Sequence, residues 1–102
     1  MTALAKKRFK LRAKVSTDSP AEIKIELEKL FEAGKVGVGE TPDEFLIEAE
    51  VEGENAKELN RVLLSALRKA EKRTRLRADW TREGFTERFF DYVSKGTRKA
   101  VT

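Results

Sequence analysis

The side chains in this 102-residue chain that could do chemistry are mostly cations spaced two apart. Lys10, Arg12 and Lys14 interleave with Phe9, Leu11, Ala13 and Val15, and Arg75 and Arg77 interleave with Leu76, Ala78 and Trp80. A period of two belongs to an extended strand, whose successive side chains point to opposite faces. Each run therefore gathers its cations on one face, where neighbouring strands can neutralise phosphates or pair with carboxylates. Arg88, Phe90 and Tyr92 repeat the spacing further along. They would add flat rings on which bases or guanidinium groups stack. Phe85 and Phe89 take the opposite phase, and exposed on a terminal strand they would mark an interface.

Other chemistries are excluded by composition. The chain has no Cys and no His. It can form no thiol nucleophile, Cys/His zinc site, histidine-ligated haem, Ser-His-Asp triad or disulfide. The remaining acids and bases are carboxylates, Lys, Arg and one Tyr, and the carboxylates fall at caps, turns and strand faces. No catalytic residue, cofactor or metal site is assigned. Residues 34–39 are glycine-rich but lack the phosphate-loop spacing, and Glu40, Asp43 and Glu44 do not match a calcium loop. Lys and Arg number 22 against 18 Asp and Glu, a net charge of +4. With 39% of residues charged, mixed signs describe a solvated surface as well as a nucleic-acid footprint. The first eight residues carry no apolar segment after their basic ones, so they are not read as a signal peptide. No apolar run approaches the roughly 20 residues of a membrane span. The expectation is a cytoplasmic protein without a membrane partner.

Several elements must position these groups. Residues 8–16 alternate and read as a strand. Ser19, Pro20 and Glu22 form a helix start with a capping box, and Ile23, Leu27, Leu30 and Phe31 make the apolar stripe of a helix that ends at residues 33–34. Residues 35–39 are a short glycine-bearing strand, hairpinned through residues 40–44 to a strand over 45–52. In that second strand Phe45, Ile47, Ala49 and Val51 face inward and Leu46, Glu48 and Glu50 outward. Asn55 caps a second helix, with Leu59, Val62, Leu63, Ala66 and Ala70 as its buried stripe and Leu64 and Leu67 beside it. Residues 75–81 alternate again, with Trp80 toward the helices. Phe85, Phe89, Tyr92 and Val93 would also suit a helix. The aromatic and β-branched content and the turn-forming pair Glu83-Gly84 favour a fifth strand.

The order strand, helix, strand, strand, helix, strand resembles the ferredoxin-like split βαβ sandwich (βαββαβ). The resemblance implies an α+β fold with two helices on one face of an antiparallel sheet and an open opposite face. One domain over residues 8–96 is expected, between a flexible basic segment (1–7) and a flexible tail (97–102). On the open face Lys10, Arg12 and Lys14 would stand beside Arg75 and Arg77, with Arg88 opposite Asp79, Phe90 opposite Arg77 and Tyr92 opposite Arg75. Glu48 and Glu50 share that face, where opposite charges across strands are ordinary sheet stabilisers. The third strand is also acidic where an RNA-recognition motif is basic and aromatic. The leading expectation is a small non-enzymatic binding module that works through a protein partner or homodimer. Single-stranded nucleic-acid binding through the basic face is the first alternative, and a small-ligand pocket at a dimer interface the second.

Overall fold

The computed structural model describes residues 7–32 and 34–99. Residues 1–6 of the expected flexible N-terminal segment, residue 33 at the expected helix end and residues 100–102 of the expected tail lie outside the described residues. The fold is α+β. In chain order the elements are β1 (Lys7–Ser16), α1 (Pro20–Leu30), β2 (Lys35–Val38), β3 (Glu44–Gly53), α2 (Ala56–Ala70), β4 (Arg75–Arg82), β5 (Phe85–Phe90) and β6 (Val93–Lys99). The strands form one antiparallel sheet in the order β2-β3-β1-β4-β5-β6. This six-strand order differs from that of a four-stranded βαββαβ unit, because β5 and β6 continue the sheet beyond β4. Backbone pairing to β5 includes residues 97–99, where the sequence suggested a polar tail.

Alternation builds the two faces. Phe9, Leu11, Ala13 and Val15 of β1 are buried, as are Phe45 and Ile47 of β3, Leu76, Ala78 and Trp80 of β4, and Phe89 of β5. They form one core with Ile23 and Leu27 of α1 and Ala56, Leu63, Leu64 and Leu67 of α2. Both helices therefore cover the same face, and the other is left uncovered. The β4–β5 hairpin turns on Glu83 (φ 51°) and Gly84 (φ 83°). Positive φ at both central positions is the geometry that matches the right-handed twist of the flanking strands, and it favours glycine.

The helices depart from expectation in two ways. Asn55 caps α2, its Oδ1 accepting from the Glu58 N–H at 2.8 Å. Ser19 makes no such bond in α1; its hydroxyl donates to Glu71 Oε2 at 3.0 Å instead, at the far end of α2. The Arg73 N–H also donates to this carboxylate. These bonds, from Arg73 first and Ser19 second, hold the Glu71 carboxyl below its ordinary range. The buried stripe of α2 is also rotated from the expected one. Val62 is 54% exposed, whereas Asn60 is 1% exposed and lies in line with Leu63, Leu64 and Leu67.

Asn60 is buried because both ends of its amide have partners. Trp80 Nε1 donates to Asn60 Oδ1 at 3.2 Å, and Asn60 Nδ2 donates to the Asp91 carbonyl at 2.7 Å. An indole inside a core needs an acceptor for its N–H, and a helix amide supplies one. Asn60→Ala leaves a buried donor, the Trp80 indole, and a part-buried acceptor, the Asp91 carbonyl, without this partner. It should cost about 3 kcal/mol in urea unfolding, since each orphaned group costs roughly 1–3 kcal/mol. A loss within about 0.5 kcal/mol, typical of surface positions, would contradict the geometry.

Candidate functional site

On the uncovered face the pairing register sets side chains in rows that cross the strands. One row reads Lys35, Glu48, Arg12, Asp79, Arg88. The next reads Gly37, Leu46, Lys14, Arg77, Phe90. Between them the sheet encloses an open concavity of about 720 Å³, lined by Arg12, Lys14, Lys35, Leu46, Arg77 and Phe90 among others. A smaller one of about 280 Å³ adjoins it, lined in part by Lys14, Glu44, Arg75 and Asp91.

The first row is compensated along its length. Arg12 Nε lies 3.6 Å from Glu48. Arg88 grips Asp79 with two donors, at 2.9 and 3.2 Å. The hydrogen bond to Asp79 is the main reason the Arg88 guanidinium holds its proton more tightly than usual. Arg8, further along β1, pairs with Glu50 and Glu52, and the Glu52 bond is the main cause that raises its pKa. These pairs are largely exposed, so solvent screens them and each stabilises the fold little. Their larger consequence is neutralisation: much of the basic character read from the strand pattern is matched by carboxylates on the neighbouring strand.

The second row is different. Lys14 and Arg77 are direct cross-strand neighbours. Lys14 Nζ reaches Glu44 only at 3.9 Å. Arg77 makes no ion pair among the described residues, and its guanidinium lies over the Phe90 ring at 4.7 Å.

Of the residues singled out from sequence, Lys10, Arg12, Lys14, Arg75, Arg77, Arg88 and Phe90 all fall on this face. Arg88 stands opposite Asp79 and Phe90 opposite Arg77, as the hairpin register requires. Tyr92 does not join them. The β4–β5 ladder ends at Phe90, and Asp91 turns the chain with φ 56°. The Tyr92 ring then lies against α2, 5.2 Å from the Arg68 guanidinium, with its hydroxyl 3.3 Å from Ser65 Oγ. Arg75 faces the Asp91 carboxylate instead, at 3.4 Å. Phe89, expected as an interface anchor, is a core residue at 2% exposure, whereas Phe85 is 52% exposed. Three residues were not singled out for this face in the sequence: Lys35 at the rim; Glu44, also at the rim, which was weighed only as part of a calcium loop; and Asp91, whose carboxylate accepts from the Leu76 N–H at 2.8 Å and also faces Arg68.

Among the described residues, no three carboxylates stand close enough together to hold a metal ion, and no helix is long and apolar enough to cross a membrane. Comparison with protein-family models, with curated proteins and with solved structures finds no match for the chain.

The two phenylalanines give a direct check on the faces. Phe89→Ala should destabilise the fold by about 3–5 kcal/mol, the usual cost of emptying a buried phenylalanine site. Phe85→Ala should stay within about 0.5 kcal/mol, as for surface positions. Equal losses from the two variants in denaturant unfolding would mean that β5 is placed wrongly.

Proposed function

We propose that the chain is a small non-enzymatic binding module that docks a partner protein on the uncovered face of its sheet. Its core architecture is read as a ferredoxin-like βαββαβ unit widened by two strands, and its setting as cytoplasmic. One observation carries the reading. The helices cover only one face, and the other presents a concavity of about 720 Å³ in which exposed Leu46 sits among charges of both signs. Such a mixed surface suits a non-obligate protein interface, whose rim is polar and whose contact is specified by charge placement. The aromatic-strand version of this idea is weaker, since Phe89 lies in the core and Tyr92 lies against α2.

Single-stranded nucleic-acid binding is the second reading, favoured by the adjacent cations Lys14 and Arg77. Sheet-based RNA binders stack two or three bases on exposed rings. Here Phe90 lies under the Arg77 guanidinium, and the carboxylates of β3 run alongside the cations of β1.

Photo-crosslinking separates the two. A benzophenone amino acid at Leu46 should yield protein adducts in the host cell, and the same group at Val62 on α2 should yield few. Nucleic-acid adducts at Leu46, or equal protein adducts from both faces, would contradict the docking reading.

A further inference from the structure

We infer that the seam between Lys14 and Arg77 is a carboxylate-recognition site: an acidic segment of a protein partner places a Glu or Asp side chain there, with a neighbouring apolar side chain against Leu46 or Phe90. The inference rests on the docking reading and names the chemistry of the partner.

Lys14 and Arg77 are like charges placed opposite each other on β1 and β4. Cations directly opposite each other on adjacent antiparallel strands destabilise a sheet. Elsewhere on this face β1 avoids that arrangement: Arg12 stands between Glu48 and Asp79, and Lys10 stands between Glu50 and Thr81. Lys14 instead has Leu46 on one side and Arg77 on the other. Its carboxylate contact, Glu44, is at the outer limit of an ion pair. The seam is also where the two concavities meet, since Lys14, Arg77 and Phe90 line both. Two adjacent cations flanked by apolar side chains meet the needs of an incoming carboxylate attached to an apolar neighbour. The Arg77 guanidinium is a planar fork that can bind a carboxylate with two parallel bonds, and the Phe90 ring lies under it.

The surroundings select a discrete carboxylate over a polyphosphate. Glu44, Glu48 and Glu50 share the face on β3, and Asp79 shares it on β4. A single strand of nucleic acid carries a charge at every residue and binds along a continuous basic groove. Here such a strand would run past those carboxylates. A peptide can present one carboxylate and leave its other positions uncharged.

The test is an amide-shift titration of the labelled chain with a capped peptide of Leu, Glu and Ser, with its Gln-for-Glu twin, and with an oligothymidylate, each at low and physiological salt. The Glu peptide should move Lys14, Leu46, Arg77 and Phe90. The twin should bind about tenfold more weakly or worse, since a hydrogen bond to a carboxylate is roughly twice as strong as one to a neutral amide oxygen. Lys14→Gln and Arg77→Gln should each abolish the response, while Lys10→Gln keeps it. Lys14→Gln should also melt no lower than the parent, because it relieves a repulsion; a purely structural lysine would melt lower. Equal binding of the Gln twin would overturn carboxylate recognition and leave the docking reading intact. Tighter, salt-steep binding of the oligothymidylate at the same residues would overturn it in favour of nucleic acid. Absence of shifts with every probe would overturn it outright.

Discussion

The structure turns on one buried amide. Asn60 sits inside the apolar face of α2, where an uncompensated polar group would be costly. It is tolerated because its oxygen accepts from the Trp80 indole and its nitrogen donates to the Asp91 carbonyl. Those two bonds tie α2 to the β4 strand and to the turn that ends β5. Asp91 extends the connection: its N–H donates to the Leu76 carbonyl, its carboxylate accepts from the Leu76 N–H, and Arg68 and Arg75 face it. A residue at φ 56° is thus held by helix, strand and turn together. Arg88 and Phe90 are carried on the strand that leads into this turn, so the node fixes where they stand on the opposite face.

That face follows from register. With β1 in the centre, pairing to β3 on one side and β4 on the other sets each cation of β1 between two defined neighbours. Arg8, Lys10 and Arg12 each stand opposite a carboxylate of β3, which offsets much of the charge of a basic strand. The exception at Lys14 and Arg77 stands out because the rest is so evenly compensated. A net charge of +4 says little by itself; the placement of individual cations says more.

The faces of the strands were legible in the sequence because alternation is a strong local signal. Lys10, Arg12, Lys14, Arg75 and Arg77 lie on the expected side, and the Glu83-Gly84 turn sets the register that brings Arg88 to Asp79 and Phe90 to Arg77. What was not legible depended on long-range polar contacts. Asn60 reads as an outward residue in any hydrophobic pattern, and that misplaced the stripe of α2. The clue was Trp80, whose expected burial already demanded an acceptor on the helices. Ser19 reads as a cap, but Glu71, 52 residues away in sequence, takes its hydroxyl. Tyr92 keeps the strand period in sequence, yet positive φ at Asp91 sends it to the other side of the sheet. The sixth strand has no hydrophobic alternation to announce it, because residues 94–99 are almost wholly polar. Its pairing to β5 is a backbone matter.

Hydrogen exchange of the Trp80 indole N–H, followed with the backbone amides of Arg88 and Phe90, tests the central claim that this amide node holds β5 in place. All three should open only with global unfolding and share one free energy of exchange. Rapid exchange of the indole while the β5 amides stay protected would show that the strand, and the face it carries, stands without the node.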